Sequence, residues 1–205
     1  DALGSRSVAL GSGALNEQNF TTATNSNNTA VGYAAGNRIS TGTRNTALGS
    51  EAGDALTDAD DNVAIGALAL TTDSLGSHST AVGRGALRYQ SFTTATDSNN
   101  TAVGFSAGEA VTTGTNNTLM GANTGDALTI GTDNVVIGRS ALTTDDVGSQ
   151  NVAIGSSALE SQNAPGATVN NMLNVAVGFE SLVANTTGAN NVAIGVDALK
   201  SNTTA

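Results

Sequence analysis

The sequence predicts an all-β protein, a parallel β-roll or β-solenoid of about eleven short coils, and three observations carry that expectation. An Asn-Thr-Ala-Val-Gly-like pentapeptide recurs eleven times, with its glycines at Gly11, Gly32, Gly49, Gly66, Gly83, Gly104, Gly121, Gly138, Gly155, Gly178 and Gly195. The intervals between them are 21, 17, 17, 17, 21, 17, 17, 17, 23 and 17 residues, a short fixed period that marks one stacked unit per repeat. Within each copy the apolar residues alternate with strand period, and nowhere do they recur at helical spacing.

The strand comes first in each repeat. In Asn62-Val63-Ala64-Ile65-Gly66, alternation puts Val63 and Ile65 on one face and Ala64 on the other. The residue before the glycine is always large and apolar (Leu10, Val31, Leu48, Ile65, Val82, Val103, Met120, Ile137, Ile154, Val177, Ile194), so this column is expected to fill the coil interior. The opposite column is Ala9, Ala30, Ala47, Ala64, Ala81, Ala102, Ala153, Ala176 and Ala193, with Leu119 and Val136 as its two exceptions. A nearly invariant small residue implies close packing, and this column is expected to form a seam between chains. Gly then ends the strand. Asn opens it in nine copies, with Ser7 and Ser79 in the other two, and stacked Asn side chains can form hydrogen-bonded ladders.

The turn follows in two forms. Either Ala-Leu stands three residues after the glycine, as in Ala69-Leu70, or Leu gives way to Gly36, Gly53, Gly108 or Gly125 and an apolar residue arrives three positions later: Ile39, Leu56, Val111 or Leu128. Each coil thus keeps one apolar plug, reached by what reads as two different turns.

Above the short period lies a longer one. Gly11 to Gly83 and Gly83 to Gly155 are both 72 residues, so the single repeat domain 1–205 divides into units 11–82 and 83–154 and a partial third, 155–205. Residues 20–32 match 92–104 everywhere except Asn25 against Asp97, and the third long interval carries Pro165, the only proline. The chain starts mid-repeat and both ends read as cut repeats, so a fragment of a longer fibrous protein is expected.

Composition narrows the function classes. There is no Cys and no Trp, aromatics make up 3%, and the formal charge is −10, which argues against binding nucleic acid or anionic lipid through a basic patch. No apolar stretch approaches the roughly 20 residues that a membrane-spanning helix needs. No cofactor is expected.

The repeats resemble the head repeats of trimeric autotransporter adhesins and the similar repeats of phage tail-fibre proteins. The likeness rests on Asn/Ser-x-Ala-Val/Ile-Gly-x-x-Ala, as in Asn191-Val192-Ala193-Ile194-Gly195-Val196-Asp197-Ala198, and extends from Ser7 to Leu199. It implies a left-handed parallel β-roll, three chains side by side, and an extracellular adhesive or spacer module on a cell surface or virion. The 17-residue repeat is longer than that of the most compact adhesin heads, and no stalk heptads, anchor or folding chaperone accompany it. The partners implied are other copies of the chain and a host-surface receptor or glycan. A receptor-free extracellular filament and a polysaccharide-binding solenoid are the alternatives.

Catalysis finds little support. His78 is the only histidine and sits in a Gly-Ser-His-Ser turn whose 72-residue counterpart is Gln150. Asp58, Asp60 and Asp61 invite a Ca²⁺ reading, but their counterparts are Ile130, Thr132 and Asp133, so no metal site is expected. The Asn-x-Ser/Thr sequons at Asn19, Asn27, Asn99, Asn116, Asn185 and Asn202 are expected by chance in a chain so rich in Asn and Thr. The aromatics are more informative. Tyr33, Phe105 and Phe179 directly follow motif glycines in the coils after long intervals, Phe20 and Phe92 lie inside two of those intervals, and Tyr89 precedes Phe92. On one reading each excursion folds back so that its Phe packs on the following coil's aromatic. On the other the aromatics form a ligand-contacting ridge repeated every four coils. The two are compatible.

Overall fold

The computed structural model describes residues 3–204 and contains no helix among them. Eleven three-residue strands, from Val8–Leu10 to Val192–Ile194, stack in sequence order as one parallel sheet. Pairing is in register throughout, so that Ala47 lies beside Ala30 and Ala64 while Leu48 lies beside Val31 and Ile65. Each repeat is therefore one coil of a solenoid with eleven turns. The three long intervals each add a two-residue ladder at the side: Gly4–Ser5 with Thr24–Asn25, Gly76–Ser77 with Thr96–Asp97, and Gly148–Ser149 with Asn170–Asn171.

Strand entry is fixed by asparagine. Asn28 Oδ1 accepts the backbone N–H of Asn45 at 2.9 Å, Asn45 Oδ1 that of Asn62 at 3.0 Å, and Asn62 Oδ1 that of Ser79 at 2.8 Å. The Nδ2 groups of the same residues donate to the carbonyls of Gly42, Ala59 and Gly76 across the coil. A second ladder runs from Asn100 through Asn117, Asn134, Asn151 and Asn174 to Asn191. Full satisfaction of these buried amides makes them tolerable in so thin a core.

Strand exit is fixed by glycine. Gly32 has φ +137°, and a Cβ there would stand 2.5 Å from the carbonyl oxygen of Gly49 in the next coil. Four positions later the backbone is left-handed in both forms of the repeat: Leu70 has φ 49° and Gly53 has φ 55°. The two turn forms expected from sequence are thus one turn. What differs is the source of the plug, because Leu at this position sends its own side chain inward, whereas Gly leaves room for the residue three positions on. Ile39, Leu56, Leu70, Leu87, Leu128 and Leu142 are all fully buried.

The strand faces are the reverse of the sequence expectation. Ala30, Ala47, Ala64, Ala81, Ala102, Ala153, Ala176 and Ala193 point into the coil and are buried within the single chain, so they form no seam between chains; Ala9 belongs to the same column in the exposed first strand. A Cβ on Gly53 would meet Leu56 Cδ1 at 2.8 Å, Ala47 Cβ at 3.5 Å and Ala64 Cβ at 3.6 Å, which places alanine column and plug across one narrow lumen. The lumen is one side chain deep. A Leu from the turn and a Val or Ile from every strand would overfill it, so close packing sends the larger strand residues outward, and Leu119 and Val136 are the two large residues that the inward column admits. Leu10, Val31, Leu48, Ile65, Val82, Val103, Met120, Ile137, Ile154, Val177 and Ile194, expected inside, are all half-buried or exposed.

Candidate functional site: an apolar sheet face edged by aromatics

The inversion leaves a continuous outward surface. Its first column is Thr or Val (Thr29, Thr46, Val63, Thr80, Thr101, Thr118 and their counterparts), and its second is the large apolar column that precedes glycine. Neither column contains a charged residue in any of the eleven strands, although the chain carries 17 acidic and seven basic side chains. Eleven strands about 4.8 Å apart make this face about 50 Å long. An uncharged apolar surface of that length is far larger than the isolated exposed residues of an ordinary monomer.

Aromatics edge the face on one side. Tyr33, Phe105 and Phe179, each next to a motif glycine, are 63%, 51% and 47% exposed. Arg84 lies over the Phe105 ring at 5.7 Å from its centroid, within cation–π range. Tyr89 is exposed as well, with Arg88 5.0 Å from its ring centroid and paired to Glu109.

Phe20 and Phe92 are placed differently, at 7% and 6% exposure. The Phe92 ring covers Gly76, with Cδ2 2.7 Å from where a Cβ on Gly76 would stand, and its backbone N–H donates to Asp73 Oδ1 at 3.3 Å. The excursion is braced by the preceding coil's glycine and carboxylate, while Phe105 in the following coil stays exposed.

In the Ala-Leu coils the residue three positions after the Leu is polar, and Asp73, Gln90, Asp145 and Gln162 at this position are buried. Asp73 accepts from Gln90 Nε2 at 2.6 Å and from the Gly76 N–H at 3.0 Å. Gln90 in turn accepts from Asn100 Nδ2 at 2.8 Å and donates to Ser79 Oγ at 3.1 Å, filling the coil that the long interval widens. Asp145, Gln162, Ala164 and Asn174 repeat the arrangement 72 to 74 residues on. The recurrence of Asp-then-Gln at the 72-residue spacing was the available signal.

The acidic cluster is engaged by the preceding coil. Asp58 accepts from Thr41 Oγ1, Asp60 from the Thr43 N–H at 2.7 Å, and Asp61 pairs with Arg44 Nε at 2.6 Å. The Arg44 guanidinium holds the Asp61 carboxyl below its ordinary range, chiefly through that hydrogen bond. His78 stands between Asp97 at 3.1 Å and Asp61 at 3.7 Å. Among the described residues no group of three or more His, Asp or Glu side chains is placed to hold a metal ion, no pocket opens, and no helix is long and apolar enough to cross a membrane. No family model, curated protein or solved structure matches this chain, so what it displays rests on its own geometry: a solenoid with one uncharged apolar face, aromatics along its edge, and three excursions four coils apart.

Proposed function

We propose that the protein is a non-catalytic fibrous module whose copies associate side by side through the outward strand face, presenting the long excursions to a surface receptor or glycan. The single observation that carries this reading is the uncharged apolar face on a chain of net charge −10. The two strand columns are about 7 Å apart and run for about 50 Å, and with the aromatic file beyond them the face is of the order of the several hundred Å² per partner that a specific interface buries. Two chains of like charge can meet over the two strand columns without burying a charge, with Arg84 and Arg139 in the aromatic file beyond them.

The resemblance to adhesin heads and tail fibres supports the finer form: a left-handed coil, three copies around a shared axis, an extracellular setting on a cell or virion. Binding by such a module gains from avidity across identical chains. Sedimentation equilibrium on the native protein tests the reading. A discrete trimer is expected, and a mass that climbs with concentration would favour the open filament. Ile65→Lys with Ile137→Lys, both in the outward column, should yield folded monomers. A wild-type chain that stays monomeric at every concentration sinks the proposal.

A further inference from the structure

Resting on the self-association proposed above, we infer that Tyr33, Phe105 and Phe179 are the anchors by which this face docks a second copy of the chain. Each stands two residues past the last outward strand residue, Val31, Val103 or Val177, in the turn that the motif glycine opens. The chain buries aromatics where its own packing needs them, as with Phe20 and Phe92, yet leaves these three about half exposed or more. Large exposed aromatics contiguous with an apolar face are the residues that carry most of the energy of protein–protein interfaces.

The occupant follows from shape, spacing and charge. No pocket opens beside the rings among the described residues, so a broad protein face suits them better than a small ligand. The rings are four coils apart, about 19 Å, and the file between them holds Ser50, Ala67 and Arg84, then Ala122, Arg139 and Ser156, so that low ground of two coils lies beside Tyr33 and of one coil on either side of Arg139. A partner must offer receptive ground at that same interval, and another copy of the chain carries it by construction. The uncharged strand columns let two acidic chains approach, and Arg84, held over the Phe105 ring, adds a cation at the rim.

The test is the triple variant Y33S/F105S/F179S. Ser already stands in this file at Ser12, Ser50 and Ser156, so the coil accepts it. Circular dichroism and the melting temperature establish that the variant is folded, and sedimentation equilibrium gives its association constant. The expected result is a folded chain with self-association weakened about 1,000-fold, roughly tenfold per ring. Self-association within threefold of wild type overturns the anchor assignment; if I65K/I137K dissociates in the same experiment, the parent reading stands without it. A wild-type monomer overturns both. Should the triple variant fail to fold, F105S alone decides: about tenfold weakening is expected, and an unchanged constant overturns the assignment.

Discussion

The Asp73 carboxylate and the Gln90 side chain meet at 2.6 Å in the coil interior, both fully buried, one coil apart. The pair marks where the regular 17-residue coil gives way to a longer one. Asp73 also receives the N–H groups of Gly76 and Phe92, so one side chain ties the excursion to the coil beneath it. Asp73→Ala would leave the Gly76 and Phe92 N–H groups buried without this acceptor, at about 1–3 kcal/mol each before relaxation, while Gln90 Nε2 keeps Ser79 Oγ. Asp73→Asn keeps an oxygen for the backbone but sets an amide N–H₂ against Gln90 Nε2, so a smaller loss of about 1–2 kcal/mol is expected. Repeat arrays unfold by neighbouring units, so the measurement is native-state hydrogen exchange over residues 73–100. Equal protection in wild type and D73A would contradict the clasp.

Glycine supplies a second prediction, because two glycines with similar backbone angles differ in what surrounds them. Gly32 sits with φ +137° against the backbone of Gly49, which cannot move without shifting the whole coil. Gly166 has φ +107° with nothing within 4 Å of an added Cβ. Gly166→Ala therefore meets only backbone strain, about 1–3 kcal/mol. Gly32→Ala adds a backbone clash inside the stack and is expected to exceed about 4 kcal/mol. Thermal melts of the two variants give the ranking, and a Gly32→Ala protein as stable as Gly166→Ala would refute the close approach.

Much of this fold was legible in the sequence. The period of the glycines gives the number and order of the coils, and the compensation between Leu70-type and Leu56-type plugs gives the interior. The direction of the strand was not legible, because alternation separates two faces without saying which is inside. A preference for burying the larger residue chose wrongly. The lumen is already filled from the turn, and only its depth decides that Ala64 goes in and Ile65 goes out. One residue held a clue: Leu119 interrupts the alanine column, and a Cβ on Gly108 would lie 2.5 Å from its Cδ1, beside the smaller plug Val111. A bulky strand residue offset by smaller turn residues identifies the column that shares the lumen. The candidate surface was missed for the same reason, although its edge residues Tyr33, Phe105 and Phe179 stood out from their spacing alone.

A stabilising substitution is available at Leu173. This residue precedes the strand-opening Asn174 and has φ 56°, a left-handed conformation unfavourable for Leu. It is exposed, so its side chain contributes little packing in return. The same corner is occupied by Asn27, Asn99, Asn116 and Asn190 in other coils, and Asn tolerates this region far better. Leu173→Asn should raise stability by about 0.5–1 kcal/mol, visible as a higher melting temperature. A lower melting temperature would mean that Leu173 makes contacts that outweigh the strain.

The last prediction concerns pH. Burial pushes the Asp126 carboxyl above its ordinary range, and the nearby Glu109 charge acts in the same direction, against backbone hydrogen bonds that pull it down. A carboxyl whose folded pKa is raised binds its proton more tightly in the native chain than in the unfolded one. Below the unfolded pKa both states are protonated and the group is neutral in effect. As pH rises through the raised folded value, the native state gives up a proton that it holds more tightly, and the resulting penalty is complete above it. Asp126→Asn removes that penalty while its side-chain oxygen still accepts the same backbone bonds. The variant should therefore melt above wild type at pH 7, with the difference shrinking toward zero near pH 3. Asp61 gives the opposite sign, because Arg44 holds it low. Its stabilising contribution is present at neutral pH and is lost as pH falls through the depressed folded value. Asp61→Asn should accordingly lower the melting temperature at pH 7, and that loss should fade as the solution is acidified. Melts of both variants across pH 3 to 8 separate the two carboxylates, and parallel curves for the pair would contradict the assigned environments.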